Sequence, residues 1–321
     1  EVVPGTTIDR QCGSSQQAVH FAAQAIMAGV NDVVVAGGVQ TMTQIPISSA
    51  MLAAQPMGFP DPFSGSQGWV ARYGDVPPSQ FTSAQMIADK WDISREQMEA
   101  FALRSHTLGQ QAIDEGRFDR EIVPLNGVDT DETVRNTSLE KMAELEPLVE
   151  GGTITAAVSS QTCDGSSAVL IVSEDALKRY NLTPRARIAH MSVRAADPIW
   201  MLTAPIPATE YAMKKSGMKL DDIDLVEINE AFAAQVLCTL KAWESDTWCR
   251  ERLGRDALGS IDRAKLNVKG SSLAAGHPFA ATGTRVLANA AKLLAEKGSG
   301  RALISICTAG GMGVTAIVEA A

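Results

Sequence analysis

Cys12 stands in the run Ile8-Asp9-Arg10-Gln11-Cys12-Gly13-Ser14-Ser15-Gln16. Directly after it, Val19, Ala22, Ala23 and Ile26 recur at helical spacing. A cysteine delivered into the first turn of a helix meets unpaired backbone N–H groups and the positive end of the helix dipole, and both favour its thiolate. The position therefore suits a nucleophile, although a small buried hydrophobe is the plain alternative. A cysteine nucleophile needs a base within hydrogen-bond reach. His277, in Gly276-His277-Pro278 ahead of another helical run, is the histidine placed at a turn, whereas His20, His106 and His190 lie in helical or strand-like text. Asn229, at the end of the apolar run Leu225–Ile228, and Cys307, at the end of Leu303–Ile306, complete four loci at strand ends or helix starts. Open α/β sheets gather ligands at such ends. Glycine-rich turns at 270–276 and 309–313 let backbone N–H groups approach a developing oxyanion. The chemistry these residue types suit is acyl transfer through a cysteine.

The elements that must position them read as α/β text. Helix 14–28 ends at Gly29, and Asp32–Ala36 follows as a buried strand closing on Gly37-Gly38. Residues 43–162 are an excursion between two pieces of one sheet. It is irregular and proline-rich at first, helical over Ser83–Glu115 with a cap at Ser94, and helical again over Thr137–Leu148. Ala168–Val172 is the strand that follows it. The second half repeats the grammar: strand Leu225–Ile228, helix Ala231–Lys241, a helix opened by His277-Pro278 and closed at Gly298, then strand Leu303–Ile306. A reactive residue, a helix, a strand and an Ala-Gly-Gly turn occur twice, which reads as an internal duplication. The expected division is 1–42 with 163–188 as an N-terminal half, 43–162 as an inserted loop domain, and 189–321 as a C-terminal half.

Bulk composition narrows the function. With 45% hydrophobic and 20% charged residues the chain is an ordinary globular protein, and a net charge of −9 argues against general nucleic-acid binding. No apolar run is long enough to span a membrane. Five irregularly spaced cysteines point to a reducing compartment, expected to be the cytoplasm, and four histidines without paired ligand spacing argue against a structural zinc site.

Taken together, Arg10-Gln11-Cys12-Gly13-Ser14-Ser15, Asn229-Glu230-Ala231-Phe232, Gly276-His277-Pro278 and Cys307-Thr308-Ala309-Gly310-Gly311-Met312-Gly313 resemble the motifs of the thiolase family, in the family's order. The resemblance runs from Val2 to Glu319. It implies a thiolase-like α/β fold: two similar halves with mixed sheets and flanking helices, layered α-β-α-β-α, plus the inserted loop domain. It implies Cys12 as the acylated nucleophile, His277 as its base and Cys307 as the second acid/base. It further implies that Asn229 holds a water that with His277 forms one oxyanion site, and that the backbone N–H groups of Cys12 and Ala309 form the other. Ser160 would contact the pantetheine, Phe232 would line the thioester pocket, and Arg135 would meet the phosphates. The implied reaction is CoA-dependent cleavage of a 3-ketoacyl-CoA, or the reverse condensation. CoA and acyl-CoA would be substrates with no resident cofactor, in a homodimer or homotetramer.

Some positions depart from the family pattern. Ala309 stands where glycine is usual, which keeps a backbone donor if φ stays negative. Val158 replaces a common asparagine near the CoA wall. Asn229 matches the general thiolases, while the long connection 241–266 resembles the trifunctional subgroup. The family carries a substantial βα segment before the nucleophile, whereas Cys12 follows eleven residues here, so exposed apolar faces are expected in the N-terminal half. Two rivals are a ketosynthase-type condensing enzyme, disfavoured by Asn229 and Cys307, and a thiolase-like subunit without turnover.

Overall fold

The structure, a computed structural model, describes residues 2–63 and 65–321. In chain order the helices are α1 Ser14–Met27, α2 Ser49–Leu52, α3 Gln67–Tyr73, α4 Gln80–Lys90, α5 Arg95–Asp114 and α6 Leu139–Ala143. They continue with α7 Glu174–Tyr180, α8 Pro205–Ser216, α9 Ala233–Glu244, α10 Asp246–Leu253, α11 Ser272–Ala275 and α12 Phe279–Lys297. The strands are β1 Val33–Gln40, β2 Gly165–Val172, β3 Ala186–Ala195, β4 Leu225–Ile228, β5 Arg301–Thr308 and β6 Met312–Ala320.

Two sheets result. β1 and β2 form an antiparallel pair, and the other strands form a sheet in the order β3-β6-β5-β4, with β4 parallel to β5 and the remaining pairs antiparallel. α1 and α12 lie between them: both pack on β1 and β2, and α12 also packs on β5 and β6. α8 covers the other face of the four-stranded sheet. Alternation along β5 sends Ala302, Ile304 and Ile306 into the core shared with α1 and α12, and Leu303 and Cys307 into the core containing Ile206, Ile228 and Trp243. Burying each large aliphatic side chain of this strand stabilises the fold by roughly 1.5–3 kcal/mol.

Two glycines seat the turn that carries Cys12. A Cβ on Gly13 would sit 2.7 Å from both Thr308 Cγ2 and Val314 Cγ2, and one on Gly283 would collide with the Gln16 backbone nitrogen. The start of α1 therefore presses against α12 on one side and the end of β5 on the other. Thr284 N–H donates to Ser15 Oγ at 3.0 Å across the same seam.

The repeated Ala-Gly-Gly does not play one role twice. Gly37 and Gly38 lie inside β1, paired with Ala168 and Ser167, because the chain continues to Gln40 before leaving the sheet. Gly310 and Gly311, with φ of 80° and 77°, instead make the tight hairpin between β5 and β6. Helix Thr137–Leu148 is likewise shorter than its text suggests. α6 stops at Ala143, where Arg95 donates to the carbonyls of Met142, Ala143 and Leu145 at 2.8–3.0 Å. Those carbonyls are satisfied by a side chain, so no further helical turn is needed.

Candidate active site

Cys12 sits in a 3-10 turn, Gln11–Gly13, that leads straight into α1. Ser14 ties the turn together: its hydroxyl accepts from Arg10 N–H at 2.9 Å and donates to the Gln11 carbonyl at 2.7 Å. Gln11 is held at φ 44°, a left-handed conformation that costs a non-glycine residue about 1–3 kcal/mol and is concentrated at functional sites. The backbone N–H groups of Ala309 and of Cys12 itself act on the sulfur. Ala309 is not among the residues with positive φ, so alanine serves there without glycine's freedom.

The expectation of a resting thiolate is not met. Burial pushes the Cys12 thiol up to about 12, overriding the two N–H groups that pull it down. A lone negative charge in a dry site loses its hydration, and two neutral dipoles do not replace it. Cys307, fully buried, is also raised well above its ordinary value, first by burial and then by the nearby Cys12 sulfur. That mutual influence places both sulfurs in one neighbourhood. Cys307 therefore rests as a neutral thiol, in keeping with a proton-donating role.

On the C-terminal side, Asn229 follows β4 and is fully buried. Its Oδ1 accepts from Ser272 Oγ at 2.6 Å, and its Nδ2 lies 3.4 Å from His277 Nε2. His277 Nδ1 is 2.7 Å from Thr282 Oγ1, one turn into α12. With Nδ1–H donating to Thr282, Nε2 carries the lone pair a base requires. Burial and then the Arg285 charge lower the His277 pKa to about 3, so its imidazole rests neutral. Among the described residues no hydrogen bond joins Cys12 to His277; the Gln11–Gly13 turn packs on α12, the helix that His277-Pro278 opens.

Glu230 explains why the Asn229 turn is rigid. Its buried carboxylate accepts from Ser105 Oγ (2.6 Å), Asn267 Nδ2 (2.7 Å) and Leu273 N–H (3.2 Å), binding α5, the 267 loop and α11 to one point. Burial raises its pKa, against the pull of those donors.

The expected substrate-facing residues lie along one segment. Ser160 N–H donates to the Ala231 carbonyl at 3.0 Å, Ser159 bridges Phe232, and the Gln161 carbonyl accepts from His277 N–H at 2.9 Å. Gln161 also receives Arg135 Nε on its Oε1 at 2.8 Å and donates to the carbonyls of Thr133, Leu273 and Ala274. Ser160, Phe232, Arg135 and His277 are thus stitched to 159–161. Phe232 is buried with its ring edge-on to Phe81 at 5.7 Å. Arg135 is exposed beside a groove of about 580 Å³ that includes His106, Gln110, Asn136 and Thr137. Val158 is buried in the core instead of on that surface. Sequence reasoning missed Gln161, Ser272, Thr282 and Arg285; the last three lie within eight residues of His277, and their nearness to the base was the available signal.

Comparison with known proteins gives a consistent result. Residues 1–175 match the family described as thiolase, N-terminal domain, and residues 182–320 match thiolase, C-terminal domain. A steroid 3-ketoacyl-CoA thiolase of Mycobacterium tuberculosis is 50% identical over 323 residues, spanning 99% of this chain and 75% of its own length. A 3-ketoacyl-CoA thiolase of Idiomarina loihiensis is 36% identical over 329 residues, spanning 99% and 79%. The crystal structure of human mitochondrial 3-ketoacyl-CoA thiolase in complex with CoA aligns with a TM-score of 0.81 at 33% identity, over 99% of this chain and 78% of that one.

Proposed function

The chain belongs to the thiolase family, and from that premise we propose how its residues divide the reaction. The protein is an acyl-CoA C-acyltransferase with CoA and acyl-CoA as substrates. In the degradative direction Cys12 attacks the ketone of a 3-ketoacyl-CoA, and His277 Nε2 takes the thiol proton as the carbon–sulfur bond forms. The bond between the α-carbon and the ketone carbon then breaks. Its electron pair leaves as the enolate of acetyl-CoA, which Cys307 protonates. Free CoA gives its proton to the Cys307 thiolate left by that step and attacks the acyl-Cys12 thioester, while His277 returns its proton to the departing Cys12 sulfur; the shortened acyl-CoA is released and both thiols are restored. Thioester is exchanged for thioester in this last step, so the sequence runs in either direction.

Two sets of donors serve the two charges. The N–H groups of Cys12 and Ala309 stabilise the tetrahedral oxyanion on the acyl group, and Asn229 with His277 stabilises the enolate oxygen through a water held by the amide. The observation that carries this reading is the convergence of the Ala309 and Cys12 N–H groups on the one sulfur that neighbours Cys307. Ser160 and Phe232 face the pantetheine and thioester, and Arg135 meets the phosphates at the surface of the 43–162 region. Both rest thiols being neutral, attack and proton transfer are concerted.

A homodimer or homotetramer is part of this reading, supported by the exposed apolar outer face of β1 and β2 at Val33, Val35, Val39 and Leu170. Five free cysteines suit a reducing compartment such as the cytoplasm. The test is direct. Incubation with 3-ketoacyl-CoAs of increasing length, one of them ring-bearing, should release acetyl-CoA and leave an acyl group on the Cys12 peptide by mass spectrometry. Turnover with the acyl group on any other residue would overturn the assignment.

A further inference from the structure

We propose that Ser272 and Arg285 are positioning residues that fix the direction of the Asn229 amide, so that its N–H, not its carbonyl, holds the water that serves the enolate oxygen. The proposal rests on the reading above, in which Asn229 and His277 serve the enolate. An asparagine amide is nearly symmetrical in shape but opposite in polarity at its two ends. Turned the wrong way, its carbonyl would take one of the water's protons and set its own negative end toward the developing charge, which opposes the step it is meant to assist.

The structure supplies the element that decides. Arg285 Nη2 lies 2.8 Å from Ser272 Oγ, and guanidinium can only donate. The Ser272 hydroxyl accepts that bond and has one proton to give, and Asn229 Oδ1 stands 2.6 Å away to receive it. Oδ1 is thereby committed to Ser272, which leaves Nδ2 on the side of His277 Nε2, at 3.4 Å. A second bond, from Arg285 Nη1 to the Ala275 carbonyl at 3.1 Å, pins the guanidinium to the last residue of α11, two residues before His277. Ser272 and Asn229 are both fully buried, so bulk water has no access to replace a missing hydroxyl. Polarity also runs in the useful direction. A cation donating into a hydroxyl sharpens that hydroxyl's own donation, and an amide whose oxygen is so bonded is a stronger N–H donor.

The device acts on one half-reaction. Acylation of Cys12 uses the backbone donors at Cys12 and Ala309, which Ser272 does not touch. Exchange of acetyl-CoA α-protons with deuterated solvent passes through the enolate and uses Asn229. Ser272→Ala should slow exchange by roughly 10- to 100-fold while Cys12 acylation from acetyl-CoA changes by less than about 3-fold, given that loss of one oxyanion donor outright costs about 10²–10³. Ser272→Thr, which keeps the hydroxyl, should restore exchange to within about 5-fold of the parent enzyme. Arg285→Lys, which keeps the charge but not the two-pronged grip, should fall between them.

A double-mutant cycle with Asn229→Ala separates positioning from a general structural effect. If Ser272 acts through Asn229, Ser272→Ala should slow exchange no further in the Asn229→Ala background. An equal further loss in that background, or a Ser272→Ala enzyme whose exchange and acylation fall together, would overturn the proposal. So would unchanged exchange in Ser272→Ala while Asn229→Ala is impaired. Should Asn229→Ala itself exchange normally, the underlying assignment of the enolate site fails, and the Ser272 proposal with it. Where Ser272→Ala does not yield folded protein, Arg285→Lys carries the same cycle.

Discussion

β1 and β5 are nearly interchangeable as text, each an apolar run ending in Ala-Gly-Gly, yet they live in different surroundings. β5 has a strand on either side and, past Arg301, every residue to Thr308 is buried. β1 has one partner, β2, and turns Val33, Val35 and Val39 outward, with Val35 69% exposed. The difference teaches that an apolar run specifies a strand but not its burial, which depends on what lies alongside. It also divides the chemistry. Cys12 belongs to the open side, and its turn seats against β5, β6 and α12 only because Gly13 and Gly283 allow it. His277 and Cys307, the proposed base and second thiol, are anchored on the closed side.

The strongest way to test that division is to remove one sulfur from each side. Cys12→Ser should reduce acyl-enzyme formation by roughly 10⁴-fold or more, because a hydroxyl is a far poorer nucleophile at its ordinary pKa. Cys307→Ala should still become acylated by a simple thioester within about 10-fold of the parent rate, yet lose α-proton exchange by about 10²–10⁴. Quenched-flow mass spectrometry and proton NMR in deuterated solvent read the two steps. Normal exchange in Cys307→Ala would cancel the division of labour.

Packing offers the next contrast. Ile304→Ala on β5 should lower the urea-unfolding free energy by about 2–5 kcal/mol, because a buried cavity forms between β5 and α12. Val35→Thr on the outer face of β1 should stay within about 0.5 kcal/mol. Comparable losses would show that the outer face is covered in solution.

Acidity supplies a smaller effect with a defined sign. His277 is held near 3 in the fold, against an ordinary value of 6.5, by burial and then by Arg285. Between these values the unfolded chain binds a proton that the folded chain refuses. Stability from this group is therefore complete above 6.5 and is lost as pH falls toward 3, with a slope approaching about 1.4 kcal/mol per pH unit. His20 on α1, lowered to about 4 chiefly by burial, adds the same trend from the open side. Unfolding titrations of His277→Asn and His20→Asn between pH 7 and pH 5 should each show a shallower decline than the parent. The smallest effect lies at the rim, where Arg135→Glu should raise the CoA dissociation constant by about 5- to 10-fold, and more at low salt. An unchanged constant in isothermal titration would move the phosphate site elsewhere.

Much of this architecture was legible beforehand, and the reasons are specific. β4 occupies the span its apolar run marked, Leu225–Ile228. α5 begins at Arg95 because Ser94 and Gln97 form a reciprocal capping box. The element-boundary positions of Cys12, Asn229, His277 and Cys307 were legible because strand and helix ends are marked by the turn residues around them. Thr282, Ser272 and Gln161 were not, because a hydroxyl or amide side chain carries no signal until its partners are known. The ionisation state of Cys12 was also out of reach. Helix position was visible in the pattern, but complete burial, the larger influence, depends on β5, β6 and α12 closing over it.

That protonated sulfur has a consequence for how the enzyme survives between encounters with substrate. Peroxide and disulfides react with thiolates, and cysteines that serve as redox sensors are low-pKa and solvent-accessible. Cys12 is neither: it is 7% exposed, and its thiol is held up to about 12. Its conversion to a sulfenic acid, or to a mixed disulfide with a small thiol, should therefore be slow at neutral pH. On the proposed roles its thiolate forms only while an acyl-CoA occupies the site and His277 takes the proton, which would expose it to oxidants chiefly during turnover. Inactivation by peroxide should accordingly follow the rate of substrate flux more closely than the time of exposure.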